Sequence, residues 1–163
     1  MTDIEKSAGY IAWHKKETID NIIKFFVTDM LFFWSANPEL KQKQTENWLP
    51  LLQKLNDNFG FNLKYSENLI PADNAENSKI FAKVLNNMSD DELAVCFLAA
   101  TQTKSTMIGL MMAKSMLSAE EAFKQAYLEE IFQNEYWGVD EEEMQKRQKT
   151  KEELTLLEKF LQK

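Results

Sequence analysis

The residue types that enzymes use for catalysis are sparse in this chain of 163 residues. His14 is the only histidine, so a Ser-His-Asp or Cys-His arrangement could form only around it, and no nucleophile motif accompanies it. A di-iron centre in a helical bundle needs two Glu-x-x-His pairs, which one histidine excludes. Cys96 is the only cysteine, so the chain alone builds neither a disulfide nor a thiolate metal cage. We therefore expect no catalytic residues, no metal and no cofactor.

Two neighbouring carboxylates, Glu129 and Glu130, differ from the other acidic residues in their surroundings. They lie between the apolar residues Leu128 and Ile131 rather than within a solvated charge run. Adjacent helix positions diverge by about 100°, so the pair cannot flank one substrate as the two acids of a glycosidase do. Ordinary surface carboxylates are the simplest interpretation, and a role in binding is the alternative.

A methionine-rich stretch from Met107 to Met116 has two interpretations. Unbranched thioether side chains repack around varied partners, so the stretch could form an adaptable binding face. Buried core is the simpler interpretation, because residues 93–117 are apolar on nearly every side. We predict that residues 93–117 form the central helix or a broken pair of helices, with Gly109 where another helix approaches closely.

Helices must position these residues, because 4 glycines and 3 prolines are too few for the turns of a many-stranded sheet. Apolar residues recur at helical spacing between residues 11 and 33, which predicts one long first helix. Asn37 and Pro38 form a cap and first-turn signal. A further helix with Pro50 in its first turn is expected to end at Gly60.

Two helix starts in the second half of the chain have the spacing of capping boxes. These are Ser89 with Glu92 and Ser118 with Glu121, where a hydroxyl and a carboxylate three residues apart satisfy each other's backbone N–H groups. The helix of residues 80–88 is expected just before the first of them, from its apolar stripe.

The rest of the chain gives weaker signals. Residues 61–65 alternate between apolar and polar, which is typical of a short strand or hairpin arm. The helix that follows Ser118 is expected to end near Gly138, with Trp137 packed at least partly into the core. A last helix over about residues 140–161 carries a narrow apolar stripe.

The predicted fold class is therefore all-α, a compact multi-helix bundle-like domain over residues 1–163 with at most one short strand or hairpin near residues 61–65. The formal charge of -7 and pI near 4.9 argue against a nucleic-acid partner, which needs clustered Lys and Arg. Asp29 and Lys104 interrupt the two longest apolar runs, so no membrane span is expected.

Three segments together resemble the ATP-twelve-type chaperones, which are assembly factors for the alpha subunit of the catalytic sector of ATP synthase. The third segment is the most specific, because it matches that family's Leu-Glu/Asp-Glu, Gln, Trp-Gly, Asp pattern. The segments are Asp29-Met30-Leu31-Phe32-Phe33, Trp48-Leu49-Pro50-Leu51-Leu52, and Leu128-Glu129-Glu130 followed by Gln133, Glu135, Trp137-Gly138 and Asp140.

The resemblance implies a non-enzymatic chaperone that binds the unassembled alpha subunit and prevents its aggregation. It implies a location in the cytoplasm of an alphaproteobacterium, or in the mitochondrial matrix of a eukaryote. The family-like segments supply the candidate client-binding residues, which are Asp29, Glu129, Glu130, Gln133, Trp137 and Asp140.

The chain departs from the family pattern in two respects. Phe32, Phe33, Trp34 and Leu49 stand where the family carries Cys, Tyr, Arg and Asp, which weakens any expectation of polar contacts in that region. Family members also carry an N-terminal β-rich domain that nothing in this sequence supplies, so a shortened member or a trimmed sequence is expected.

Two other classes of function remain open at this stage. One is a helical ligand carrier or small enzyme whose site lies in the methionine-rich core, and the other is a protein-interaction module unrelated to ATP synthase. A closed, dry interior around residues 107–116 favours a scaffold, whereas a pocket with convergent polar groups favours a ligand site.

Overall fold

The computed structural model describes residues 2–67 and 70–163, and within them it contains nine α-helices and one 3₁₀ turn but no strand. The 3₁₀ turn, Met30–Phe32, follows the second helix. The expected all-α class is confirmed. The helices are α1 Asp3–Trp13, α2 Lys15–Phe26, α3 Pro38–Phe59, α4 Ala75–Asn86, α5 Asp90–Thr103, α6 Thr106–Ala113, α7 Ala119–Ala126, α8 Leu128–Trp137 and α9 Glu141–Gln162.

The α5–α6 helical hairpin forms the centre of the fold. Every residue of α6 is buried, including Met107, Met111 and Met112. Helices α1, α2, α7 and α9 pack around the hairpin. The expected central helix of residues 93–117 is thus a broken pair, and Met107, Met111 and Met112 of the methionine-rich stretch lie in the core.

Two capping boxes and a left-handed turn mark the ends of the helices in and after the hairpin. Ser89 and Glu92 form the expected capping box, and Ser118 and Glu121 form the second one at the start of α7. Between α5 and α6 the chain turns at Lys104, whose φ of 61° lies in the left-handed region. Glycine is the usual residue at such a helix end.

Gly109 lies where α5 and α6 approach each other closely, as its place among apolar residues predicts. A Cβ atom at this position would lie 2.4 Å from the Cys96 carbonyl oxygen and 3.1 Å from the Ala100 nitrogen. Both atoms belong to the backbone of α5, so they cannot move aside as a flexible side chain could. The glycine therefore sets the distance between the two central helices.

Replacing Gly109 with alanine is expected to lower the free energy of unfolding by about 1–3 kcal/mol, because the helices must separate. Gly9→Ala is the matched control, since Gly9 also lies within a helix but no atom of the described residues lies within 4 Å of the added Cβ. That control should raise stability by up to about 1 kcal/mol through helix propensity. Chemical denaturation measures both. A Gly109→Ala variant as stable as Gly9→Ala would contradict this account.

The first helical region is not one long helix, so the prediction over residues 11–33 is wrong. The chain breaks at His14, whose φ of -123° and ψ of 39° are not helical, and α2 ends at Phe26. Three residues later the side chain of Asp29 caps the 3₁₀ turn by accepting a hydrogen bond from the Leu31 amide. Local polar contacts therefore interrupt an apolar pattern that is periodic throughout.

Pro50 does not lie in a first turn, because α3 begins at Pro38 and continues through it. The Asn37 side chain caps this helix as expected, and Gly60, with a φ of 77°, ends it. Pro50 lacks an N–H group for the helix ladder, but it is exposed, so water can hydrogen bond to the carbonyl group it leaves unpaired.

Residues 61–66 are extended but form no strand ladder with another segment that the structure describes. Ser66 forms an isolated parallel bridge with Phe33. The Trp34 N–H donates to the Ser66 carbonyl and the Ser66 N–H donates to the Phe32 carbonyl, both over 2.7 Å.

Asparagine side chains replace the missing neighbouring strand. The amide of Asn77 accepts from the Asn62 N–H over 2.8 Å and donates to the Asn62 carbonyl over 2.9 Å. Asn74 bonds in the same reciprocal way to the backbone of Lys64, with both distances 3.0 Å. The alternating sequence thus forms an extended segment here. The side chains of Asn77 on α4 and of Asn74, the cap of α4, satisfy the hydrogen bonds of its backbone.

None of the described helices combines the length and the apolar character that crossing a membrane would require.

Candidate functional site

Helix α8 carries most of the family-like residues and projects from the bundle. Phe132 is its one buried side chain, and Leu128 packs partly against the core. The helix packs against α3 and α7. The remaining side chains of α8 therefore face two depressions, one on each side of the helix.

The first depression, the polar cleft, has a volume of about 590 Å³. It lies between the turn that joins α5 to α6 and the start of α9. Glu129, Glu130 and Gln133 of α8 line one wall. The other lining residues are Met30, Gln102, Thr103, Lys104, Ala126, Tyr127, Glu143 and Lys146.

The second depression, the aromatic cleft, has a volume of about 660 Å³ and lies between α8 and the start of α3. Tyr136 and Trp137 line it together with Pro38 and Leu40. The Tyr136 hydroxyl donates a hydrogen bond to the Glu39 carboxylate, and this bond raises the pKa of Tyr136 above its usual value.

Glu129 and Gln133 lie on the ridge between the two clefts and line both of them. Among the residues that the structure describes, no cation lies within 4.0 Å of the Glu129 carboxylate, and no hydrogen bond to it is formed. Partial desolvation by the surrounding protein raises the pKa of the Glu129 carboxyl. Glu129 is thus an unpaired anion whose charged form gains from a cation supplied by a partner.

Glu130, one residue on, has a partner within the chain. Its Oε2 atom lies 3.3 Å from Nε of Arg147 on α9, a residue that is 9% exposed. The Arg147 guanidinium also lies 5.8 Å from the centre of the Tyr127 ring. Glu130 therefore neutralises a buried cation and joins α8 to α9, which gives it a structural role.

Replacing Glu130 with lysine is expected to lower the free energy of unfolding by about 1–3 kcal/mol. Breaking a fully buried ion pair costs about 3–5 kcal/mol. The Glu130 side chain is 45% exposed, so solvent screens part of its interaction with Arg147 and the cost is smaller. Glu129→Lys is the neighbouring control and should change stability by less than about 0.5 kcal/mol. Thermal and urea unfolding measure both variants, and equal stabilities would contradict a structural role for Glu130.

Trp137 is 87% exposed, so the prediction that it packs into the core is wrong. Phe132 faces the core, and Trp137 lies five positions later, about 140° away around the helix. Gly138 then ends α8 with a φ of 76° and turns the chain toward α9. Trp137 is therefore available as a contact residue at the open end of the aromatic cleft.

Two of the candidate site residues line neither of these clefts. Asp140 is the N-cap of α9, where its carboxylate accepts a hydrogen bond of 2.7 Å from the Glu143 amide. Asp29 is 1% exposed and lies inside the bundle. The structure thus brings together Glu129, Glu130, Gln133 and Trp137, and it gives Asp140 and Asp29 local structural contacts.

Asp29 connects the 3₁₀ turn to the central hairpin. Its Oδ1 accepts from the Leu31 N–H over 3.0 Å, and its Oδ2 accepts from the Thr106 hydroxyl over 3.0 Å and from the Met107 N–H over 2.8 Å. Burial raises the pKa of Asp29, and these hydrogen bonds oppose the rise only in part. The carboxylate therefore caps α6 from a distant part of the sequence.

Sequence reasoning missed two residues of the site. Tyr136 follows Phe132 by four positions, a spacing that puts both rings on one side of α8, and their ring centroids lie 5.4 Å apart. Lys104 lines the polar cleft from the turn between α5 and α6. Only the first of these had a signal in the sequence, the i to i+4 spacing of two aromatic residues.

The chain is similar in sequence to a known mitochondrial protein. The chain is 25% identical to the mitochondrial protein atp12 of Schizosaccharomyces pombe over 150 residues, which cover 85% of this chain and 52% of that protein. The chain thus spans about half the length of this relative. No protein-family profile matches it.

Two solved structures share the fold. The crystal structure of Atp12 from Paracoccus denitrificans has a TM-score of 0.84 at 24% identity, covering 92% of this chain and 65% of that chain. A proposed chaperone from Agrobacterium tumefaciens has a TM-score of 0.80 at 27% identity, covering 91% of this chain and 56% of that chain. The resemblance to the ATP-twelve-type chaperones is therefore confirmed in both sequence and fold.

Proposed function

We propose that this protein is a chaperone in the assembly of ATP synthase and that its client is the alpha subunit of the catalytic sector before assembly. The proposal rests on the similarity to Atp12 proteins and on the family-like residues of α8. It requires no catalysis. The site of action would be the compartment in which the catalytic sector assembles, the bacterial cytoplasm or the mitochondrial matrix.

The observation that carries this proposal is the surface of α8. An unpaired carboxylate, Glu129, stands between two clefts, and a tryptophan, Trp137, is almost wholly exposed at the end of the same helix. Large exposed aromatic residues are enriched at protein interfaces, where their burial supplies most of the binding energy. Exposing a tryptophan adds no stability to an isolated chain.

Further exposed side chains with apolar surface lie near Trp137 in the sequence. Val139 and Met144 are 44% and 50% exposed, and Tyr136 is 61% exposed. A partner that covers these groups would remove apolar surface from water. An apolar patch bordered by carboxylates suits a chaperone that masks an assembly surface of its client, because the charges set partner choice and the apolar groups supply affinity.

Aggregation of the isolated alpha subunit tests the proposal. Light scattering of the alpha subunit of the same organism is followed at its aggregation temperature, with and without an equimolar amount of the protein. We expect the protein to suppress scattering and to form a complex that size-exclusion chromatography resolves. Unchanged scattering at equimolar protein would refute the proposal. A matched control uses the beta subunit, whose aggregation should change little.

The rival ligand carrier with a site in the methionine-rich core is disfavoured by the packing. Met107, Ile108 and Met111 are fully buried. Within the described part of the chain, they line neither cleft beside α8, while Met112 and Met116 line a separate depression of about 270 Å³. An interaction surface on α8 is thus the better-supported location for function.

A further inference from the structure

A third depression, the apolar cavity, lies on the far side of Lys104 from α8. Its volume is about 420 Å³, and most of its exposed lining is apolar. Helix α2 supplies Ile22 and Phe25, and α5 supplies Phe97 and Ala100. Phe25 is 58% exposed. The Phe25 ring thus lies at the rim of the apolar cavity instead of being buried.

The three depressions form a series with shared walls. Lys104 lines both the apolar cavity and the polar cleft, while Glu129 and Gln133 line both the polar cleft and the aromatic cleft. An extended segment could therefore follow all three without leaving the surface. Along such a path it would meet an apolar cavity, a cation, an anion and an exposed tryptophan, in that order.

Lys104 has two properties that a purely structural residue at this turn would lack. Its backbone is left-handed, with a φ of 61°, a conformation in which glycine is less strained than lysine. Its side chain is exposed, and within the described residues no carboxylate lies within 4.0 Å of its ammonium group. The turn would be more stable with glycine, and none of the described carboxylates forms an ion pair with the ammonium group.

We propose that the apolar cavity receives one large apolar side chain of the alpha subunit, within a segment that continues into the polar cleft, and that Lys104 pairs with an acidic residue next to that side chain. This inference rests on the proposed function and adds the chemistry of the client segment. Glu129 then pairs with a basic residue farther along. The charges of the groove therefore favour a segment ordered as apolar, acidic and basic.

The size and lining of the cavity fit this occupant. An apolar cavity of about 150 Å³ already holds a benzene ring, so 420 Å³ accommodates a leucine or phenylalanine side chain and the adjoining backbone. The hydroxyls of Thr28, Thr101 and Thr106 are already bonded to the Phe25 carbonyl, the Phe97 carbonyl and the Asp29 carboxylate. Because of these bonds, the described lining of the cavity offers no free hydroxyl donor that would select a polar ligand.

The test measures binding of overlapping peptides from the alpha subunit sequence by fluorescence anisotropy. We expect the wild-type protein to bind peptides in which a large apolar residue neighbours an acidic one. Thr101→Trp fills the cavity from its rim and should weaken binding at least tenfold. Thr45→Trp is the matched control, because Thr45 is also exposed on a helix, makes the same hydroxyl bond to the carbonyl four residues earlier, and lines none of the three depressions. It should leave binding unchanged.

A second variant separates the role of Lys104 from a role in folding. Lys104→Gly should raise the melting temperature, because glycine adopts the left-handed conformation with less strain, and it should weaken peptide binding several-fold. A residue with only a structural role would not lose binding while gaining stability. Lower stability together with lower binding would overturn the role assigned to Lys104.

The remaining outcomes each decide the proposal. If the wild-type protein suppresses aggregation of the alpha subunit but Thr101→Trp binds peptides as wild type does, the cavity inference falls and the proposed function stands. If the wild-type protein binds neither the subunit nor its peptides, both the proposed function and the cavity inference are rejected. If the protein sediments as a dimer that Thr101→Trp dissociates, the occupant is a second copy of the chain and the inference is overturned.

Discussion

Replacing Asp29 with alanine is expected to lower the free energy of unfolding by about 3–5 kcal/mol, the largest stability effect foreseen for one substitution here. The carboxylate accepts hydrogen bonds from the Leu31 N–H, the Met107 N–H and the Thr106 hydroxyl, all buried. Alanine would leave these donors without partners, and each unpaired buried donor costs about 1–3 kcal/mol. Part of this cost is offset because the variant no longer buries a charge. Urea denaturation measures the effect.

Asp20→Ala is the matched control for this substitution. Asp20 lies on the exposed side of α2, where it is 3.9 Å from Lys16 in an exposed pair. Removing such a pair should change stability by less than about 1 kcal/mol. If Asp29→Ala were no more destabilising than Asp20→Ala, the hydrogen bonds assigned to Asp29 would not hold the 3₁₀ turn to α6.

The raised pKa of Asp29 also predicts a dependence of stability on pH. In the unfolded chain this carboxyl has a pKa near its ordinary value of 3.8, and in the folded protein burial raises it. Between these two values the unfolded form has lost its proton while the folded form keeps it. Unfolding then releases a proton, so this group makes stability fall as pH rises through that window. The stability difference between wild type and Asp29→Asn should therefore vary with pH from 3.8 upward.

Replacing Glu129 with lysine is expected to weaken binding of the alpha subunit by at least about tenfold, with little change in stability. The wild-type carboxylate is unpaired within the described residues and stands between the two clefts. Lysine would place a cation against the basic group expected of the client, so association would become slower and less dependent on salt. Surface plasmon resonance at two ionic strengths measures both the association rate and its salt dependence.

Glu46→Lys controls for the change in net charge. Glu46 is exposed on α3, outside the clefts, and its reversal changes the charge of the protein by the same amount. If both reversals slow association equally, binding responds to overall charge and the local role of Glu129 is contradicted.

Trp137→Ala should also weaken binding without loss of stability, because its ring is 87% exposed.

The features that the sequence predicted well are those decided by near neighbours. The capping boxes at Ser89 and Ser118 and the helix end at Gly60 each follow from a few adjacent residues. The close approach at Gly109 was predictable as well, because a glycine within an apolar helix usually admits a neighbouring backbone.

The features that were missed depend on distant contacts. Asp29 has the polarity of a surface residue, and its burial depends on donors 77 and 78 positions later in the chain. The extended segment at residues 61–66 has the alternation of a strand, but the amides of Asn74 and Asn77 take the place of a sheet. Periodicity does not identify such partners.

The candidate site was predicted only in part for the same reason. The family-like pattern identified Glu129, Gln133 and Trp137, which do lie together along the clefts beside α8. It could not tell that Glu130 pairs with Arg147, since that partner lies on another helix. Nor could it identify Lys104, because its left-handed backbone arises from the turn between two buried helices.

The central claim is that the clefts beside α8 bind the alpha subunit, and hydrogen exchange tests it most directly. Backbone amide exchange of the protein would be followed by mass spectrometry, alone and with an excess of the alpha subunit. We predict slower exchange in peptides that cover α8 and the turn at Lys104, with little change at the exposed surface around Trp13 on α1. Protection confined to α1, with unchanged exchange across residues 127–138, would contradict the claim.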